Sequence, residues 1–525
     1  MKRFLALALA LAMSLSLVAC GNNSEPSESN DPAPSNPSTS TPVEETKEYK
    51  KDLVIGGNFT IDNYDLQRLT SAQQITVILG SFDRLVDLDP ETGEFIPMLA
   101  KSWTISDDGL VYTFELRDDV TFHNGEKFTA DDVVYTWERA ATYESVGSSV
   151  KKAWAYAEKC EAKGDYTVVM TLGKQNPDML YWLQPAYMGI LDRTTTEADM
   201  EKGLTIGTGL WKLEEAMVGD HFSYVRNDDY WGETTPTETM EFRIIPEASA
   251  RLIALENGEI DYAYEIASNE VTYVEQNDDL VMIEGDSMGT RYFGFISNTE
   301  GPWHDANFRK AVAHALNRED IILASGGYGT PAYTLWNPVQ VGYAAQEDAY
   351  KYDVELAKDY LSKSSYQGES FAITSTSVYK NVILTIIDQL KAVGINATYD
   401  EQTTTTMNPL IKERTLQAFV YNINLNYFGE DSRRHMYDTT YGAQIHADAP
   451  SYDECFALFD KAMASTDEAE RVACYEEIQG LIAEDACMFP LYYGVVQHAA
   501  NKNLEGVPFA PDSRTNFTYA KVLES

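Results

Sequence analysis

Between Phe371 and Tyr399 the hydrophobic period changes twice, which limits this part of the chain to a layered α/β arrangement. Phe371-Ala372-Ile373 reads as a strand. Val382, Ile383, Ile386, Ile387 and Leu390 then recur at helical spacing, Gly394 supplies the stop, and Ile395 to Tyr399 is extended again. A second unit of the same kind runs from the strand Glu241 to Ile245, through a helix carrying Leu252, Ile253 and Leu255 that stops at Asn257-Gly258, to an extended stretch from Ile260 to Tyr264. Two such units more than a hundred residues apart predict two α/β lobes.

Other elements fit between them. Tyr112, Phe114 and Leu116 alternate as in a half-buried strand, Asn124-Gly125 marks a turn, and Thr129 to Asp132 resembles a capping box that opens a helix with Val133, Val134 and Trp137. Phe308, Ala311, Val312, Ala315 and Leu316 mark another amphipathic helix. Ser465 is expected to open a last one, with Cys474, Ile478, Leu481 and Ile482 on its apolar face and the Cys474 thiol buried and free.

The N-terminus reads as an address. Met1-Lys2-Arg3 precedes an apolar run from Phe4 to Val18, too short to span a bilayer but suited to a secretion signal. The run ends in Leu17-Val18-Ala19-Cys20-Gly21, which resembles the bacterial lipobox. That resemblance implies a signal peptide over 1–19 and lipidation of Cys20 as the first mature residue; the plain alternative is an ordinary signal peptide ending near a cysteine. Residues 20–49 are expected to form a lipid-anchored, disordered linker. The Ser/Pro/Asn/Glu/Thr stretch from Asn22 to Lys47 cannot bury enough surface to order itself. As a flexible coil of about 26 residues it would reach on the order of 30 Å.

The remaining stretch of about 475 residues exceeds what one hydrophobic core supports, so two or three structural units are expected. A formal charge of −42 leaves nucleic acid out of the expected partners, because phosphate binding needs clustered Lys and Arg. Thirty-three tyrosines and eight tryptophans suit a wet binding cleft as well as a core. Beyond Cys20 only Cys160, Cys455, Cys474 and Cys487 remain, too few for a disulfide scaffold at this length.

A search for chemistry finds no Gly-x-Ser-x-Gly, no His-Glu-x-x-His and no phosphate-loop lysine. Gly326-Gly327-Tyr328-Gly329 lacks the Lys-Ser/Thr of a phosphate loop and reads as a flexible turn. His304 and His314 do not share a helix face, while His435 and His446 flank a Tyr-rich stretch and could approach one ligand. No catalytic residue, cofactor or metal site is expected.

One family resemblance then covers nearly the whole folded chain. Ala100-Lys101-Ser102-Trp103, Asp107-Asp108-Gly109, Leu116-Arg117-Asp118-Asp119-Val120, Phe122-His123-Asn124-Gly125 and Phe128-Thr129-Ala130-Asp131-Asp132-Val133 form the first block. Gly207-Thr208-Gly209 with Arg226-Asn227-Asp228-Asp229-Tyr230-Trp231-Gly232 form the second, and Ala250-Arg251-Leu252 through Gly258-Glu259-Ile260-Asp261 the third. Asn307-Phe308-Arg309-Lys310-Ala311-Val312 with Ala315-Leu316-Asn317-Arg318 form the fourth, and Tyr352-Asp353, Ala357-Lys358 and Leu361 a short fifth. In this order they resemble the family 5 extracellular solute-binding proteins, the oligopeptide, dipeptide and nickel receptors of ABC importers.

The resemblance implies a two-lobed periplasmic-binding-protein-like α/β fold of type II with an extra inserted domain and a ligand cleft between the lobes. The first lobe would be 50–75, 205–286 and 498–525, the insert 76–204, and the second lobe 287–497. It implies a monomeric, non-enzymatic receptor, held at the extracellular face of the membrane by its lipid, that passes an oligopeptide or dipeptide to a permease and ATPase complex. An oligosaccharide, a metal chelate or, from another class, a secreted hydrolase are the alternatives.

Peptide-binding members hold the ligand's amino group with an aspartate in a Trp-x-x-Asp-Tyr stretch, which aligns here with Ile423-Asn424-Leu425-Asn426-Tyr427. Tyr427 matches, but Asn426 stands at the aspartate, and a neutral amide cannot form the charge-assisted bond an ammonium favours. Asn424, Asn426 and Tyr427, with Glu430 or Asp431 supplying charge from one turn away, are therefore the expected ligand contacts in the second lobe. Tyr64, beside Ile61-Asp62-Asn63, is the expected contact in the first.

Overall fold

In the computed structural model the described residues are 47–524, less 60, 62–63, 70, 90–91, 145, 201–205, 339, 425–428, 430–431, 433–448 and 509–514. Both strand–helix–strand units are present. Strand Ser370–Ser375 pairs in parallel with Asn396–Glu401, and helix Lys380–Ala392 crosses between them with Val382, Ile383, Ile386 and Leu390 buried. Gly394, at φ +91°, makes the left-handed stop that a Cβ would strain.

In the other unit, Asp52–Gly57 pairs in parallel with Thr239–Ile244 on one side and with Tyr262–Ala263 on the other. Helix Ala248–Glu256 buries Leu252, Ala254 and Leu255 but exposes Ile253. The extended stretch expected from Ile260 to Tyr264 contributes only two ladder residues. It leaves the sheet because Glu265, two residues on, takes a positive φ of 58°. The last long helix also starts later than expected, at Glu468. Asp467, not Ser465, caps it, accepting from the N–H groups of Ala469 and Glu470, while the Ser465 hydroxyl is drawn to the Glu470 carboxylate.

The two units belong to one continuous mixed sheet, and two long antiparallel strands, Leu280–Phe295 and Met488–Asn501, carry it from one lobe into the other. Leu280 to Asp286 pairs with Val495 to Asn501 beside the first-lobe strands. Thr290 to Gly294 pairs with Met488 to Tyr493 beside the second-lobe strand Ala418–Asn424. Between these halves the register breaks, from Asp286 to Thr290 and again from Arg291 to Tyr292; irregularities of this kind bend a strand locally.

Separate cores underlie the lobes. Phe293, Phe308, Ile373, Ile386 and Phe489 anchor one part of the second-lobe core, and Trp336, Phe459, Tyr475 and Ile478 another. The first lobe shares its core with a four-stranded antiparallel sheet formed by Ala100–Ile105, Val111–Leu116, Thr167–Leu172 and Ala157–Ala162. Helix Ala130–Thr142 packs on that sheet behind the Thr129–Asp132 capping box.

Several residues of the family-like blocks prove to be backbone pins. Arg309 donates to the carbonyls of Asp485 and Trp303, and Arg318 to those of Ala332, Tyr350 and Pro490. Each ties together backbone carbonyls from segments distant in sequence and gives buried acceptors a partner. Cys160, Cys455, Cys474 and Cys487 are buried thiols that form no disulfide, and among the described residues no helix is long and apolar enough to cross a membrane.

Candidate ligand-binding site

Strand direction locates the crevice. In the first lobe, Tyr262–Ala263 runs antiparallel to Met488–Asn501, with Tyr262 opposite Ala500 and Ala263 opposite Ala499. Its carboxyl end therefore points toward Val495 and the register break. In the second lobe, Ala418–Asn424 starts opposite Phe295 and ends opposite Gly289, so its carboxyl end meets the same break from the other side. Ligands of open α/β sheets bind beyond strand carboxyl ends, and here both sets of ends converge on one zone.

The floor of that zone is a hydrogen-bonded hinge. The Gly289 N–H donates to the Ser287 hydroxyl (3.0 Å), and the Asn337 amide donates to the Ser287 carbonyl (2.9 Å). The Arg291 guanidinium donates to Ser287 Oγ (3.2 Å) and to the Gly289 carbonyl (2.9 Å), and lies against Gly494 of the facing strand. Tyr493 anchors the second-lobe side through its hydroxyl, which lies 3.0 Å from the Thr334 carbonyl and 2.9 Å from that of Trp336.

In the first lobe, Tyr64 is half-buried against Phe222, with ring centroids 6.2 Å apart, and burial raises its phenol pKa. Beyond the carboxyl end of strand Tyr262–Ala263, Glu265 donates its backbone N–H to His498 Nδ1 (2.8 Å), while its carbonyl accepts from the Arg251 guanidinium. His498 is buried between Tyr264 (4.5 Å) and Tyr262 (5.4 Å), and burial, with the Arg251 charge, lowers its pKa to about 3. It is a neutral acceptor.

Of the residues expected from sequence, Tyr64 packs against Phe222 in the first lobe and Asn424 ends the second-lobe strand opposite Gly289. Asn426, Tyr427, Glu430 and Asp431 lie outside the described residues, as do Cys20, His435 and His446. His304 and His314 are apart in role as in place: one meets the Thr299 carbonyl, the other is buried and stacked on Tyr360. Gly326, Gly327 and Gly329 all take positive φ, as a turn requires.

Sequence reading missed Glu265, and also an ion pair between Asp178 of the inserted domain and Arg471 of the second lobe. Neither sits in a motif. A separate cavity of about 110 Å³, walled by Trp303, His304, Arg309, Pro450 and Cys487, opens at the opposite end of the second-lobe sheet.

Two lobes joined by crossing strands, with strand carboxyl ends converging on the gap between them, define a binding protein of the periplasmic type, which closes around its ligand. Residues 94–444 match the bacterial extracellular solute-binding proteins, family 5, and the chain belongs to that family. It is 26% identical over 492 residues to the glutathione-binding protein GsiB of Escherichia coli K12, spanning 89% of this chain and 94% of GsiB. Among solved structures, HbpA2 of Haemophilus parasuis superimposes with a TM-score of 0.81 at 22% identity, over 90% of this chain and all of HbpA2. Helicobacter pylori DppA, in complex with the peptide STSA, gives 0.74 at 24% identity, over 92% of this chain and all of DppA.

Proposed function

We propose that this protein is the peptide receptor of an ABC importer. It is tethered to the outer face of the cell membrane through a lipid on Cys20, and it delivers its solute to a permease and ATPase complex without chemical change. The observation that carries this reading is the convergence of both lobes' strand carboxyl ends on a hinged crevice. Burying a solute on both faces gives affinity without catalytic groups. The names of the relatives support the peptide: GsiB is a glutathione-binding protein, and DppA was solved with a tetrapeptide.

In this reading the lobes keep the boundaries expected from sequence, with 50–75, 205–286 and 498–525 in the first, 287–497 in the second and 76–204 as the insert. Tyr64, Asn424, Asn426 and Tyr427 contact the ligand, Glu430 or Asp431 lies near it, and the receptor acts as a monomer. A thermal-shift screen of peptides, oligosaccharides and metal chelates tests it. A ligand at 100 times its Kd adds about 2.7 kcal/mol to stability, so peptides should raise Tm while the other classes leave it unchanged. Stabilisation by a sugar or a chelate alone, or turnover of a bound peptide, would replace this function with another.

A further inference from the structure

Glu265 combines features that packing does not require. It is a non-glycine residue at φ +58°, a conformation that L side chains avoid, placed immediately beyond the carboxyl end of a first-lobe strand. Two buried side chains enforce that conformation: neutral His498 takes its N–H and Arg251 its carbonyl. Arg251 makes its hydrogen bonds to backbone, at the Ile245 and Pro246 carbonyls as well as that of Glu265, and its charge acts on the Glu265 carboxylate only through space, more weakly than burial does.

The carboxylate so positioned is left with one weak partner, the Gln73 amide at 3.4 Å, and among the described residues it forms no ion pair. It is accessible to solvent, yet crowding by protein raises its pKa, the combination expected of a group lining a crevice. The loop that follows reaches the other lobe, since Ser268 lies against Gly326. An acid held this way, strained and with no ion pair among the described residues, is ready for a partner that arrives from outside.

We propose that Glu265 is the ligand's cation anchor, pairing from the first lobe with an ammonium group of the bound solute. The assignment rests on the peptide reading for the identity of that ammonium, and it places the charge on the first lobe. A carboxylate that is already partly desolvated loses little further hydration when the lobes close, so the charge-assisted bond is retained.

The test uses the full chain and calorimetric titration with a random tetrapeptide mixture, the same mixture N-acetylated, and spermidine and glucosamine each beside its N-acetylated form. Wild-type protein should prefer the free-amine peptides. Glu265→Gln should bind them at least tenfold more weakly and no longer distinguish them from the acetylated set. Glu265→Gly should show the same loss with a Tm no lower than wild type, because glycine adopts the positive φ freely; that pairing separates a binding role from a folding role. If wild type binds only spermidine or glucosamine and Glu265→Gln loses it, the peptide reading falls and the anchor stands. Equal affinity of wild type and Glu265→Gln, preference for acetylated compounds, or binding of none of them overturns the anchor.

Discussion

Arg471 donates to Asp178 across the two halves of the molecule, 3.2 Å from the second-lobe helix Glu468–Asp485 to the residue that precedes helix Met179–Leu183 of the inserted domain. Both side chains are nearly removed from solvent, with 11% and 5% exposed. When the lobes separate, each charge regains water, so the pair holds closure only by the difference between attraction and desolvation.

Removing one partner spoils that balance, because a lone buried charge costs about 3–5 kcal/mol. The lobes can escape the cost by opening. Asp178→Asn should therefore enlarge the radius of gyration of the ligand-free protein in small-angle scattering and weaken ligand binding at least tenfold, with Tm almost unchanged. Replacing both by apolar residues, Asp178→Leu with Arg471→Met, should restore closure. An unaltered scattering profile in Asp178→Asn would show that the pair does not govern opening.

Gly494 faces Arg291 at the register break, and a Cβ there would overlap the guanidinium. Arg291 is a flexible side chain and can move, but moving it breaks its bonds to Ser287 and Gly289. Gly494→Ala should thus cost about 1–3 kcal/mol and raise amide exchange at Ser287 to Arg291 more than in the cores. Exchange confined to the cores would argue against a hinge at this point.

The burial of His498 makes a pH signature. Its folded pKa, about 3, lies below the ordinary histidine value, so the unfolded chain takes up the proton first. Its contribution to stability is complete above pH ~6.5 and declines below that by up to about 1.4 kcal/mol per pH unit until pH reaches its folded value. Chemical denaturation from pH 7 to 4 should show this slope in wild type and a shallower one in His498→Asn, whose amide oxygen can still accept the Glu265 N–H. Parallel slopes would mean that other groups carry the acid sensitivity.

The secretory address makes its own prediction. Cys20→Ala should leave the precursor uncleaved or release the protein to the medium, as followed by labelled-lipid incorporation and cell fractionation. Undiminished labelling would refute lipidation at Cys20.

Local patterns told most of the fold. The periods around Ile373 to Leu390 and Tyr112 to Leu116, and the Thr129–Asp132 box, depend on neighbours two to four residues away and are visible along the chain. The fourth block was readable as a block, but its physical role was not: Arg318 pins carbonyls at Ala332, Tyr350 and Pro490, which only tertiary structure brings together. The site was harder still. Asp178 and Arg471 lie 293 positions apart, and nothing in the letters Tyr264-Glu265-Ile266 signals a left-handed glutamate. What sequence did supply was a negative, the amide at Asn426 where an acid was expected, and that absence is what gives the acid at Glu265 its meaning.

These two positions can be tested as a pair. If the ligand carries one ammonium and the crevice one anchoring carboxylate, the charge can be moved from one wall to the other. Asn426→Asp in the wild-type background would place an acid on each lobe, and free-amine peptides should bind more tightly, by up to about 1.5–3 kcal/mol for one added charge-assisted bond. In the Glu265→Gln background the same substitution should restore the preference for free over acetylated peptides, because the second lobe then supplies the lost charge. Titration calorimetry of the four proteins completes a double-mutant cycle. Rescue with a coupling energy clearly different from zero would show that both residues address the same ammonium. Strict additivity would mean that they meet different parts of the ligand, and weaker peptide binding by Asn426→Asp alone would remove residue 426 from the crevice.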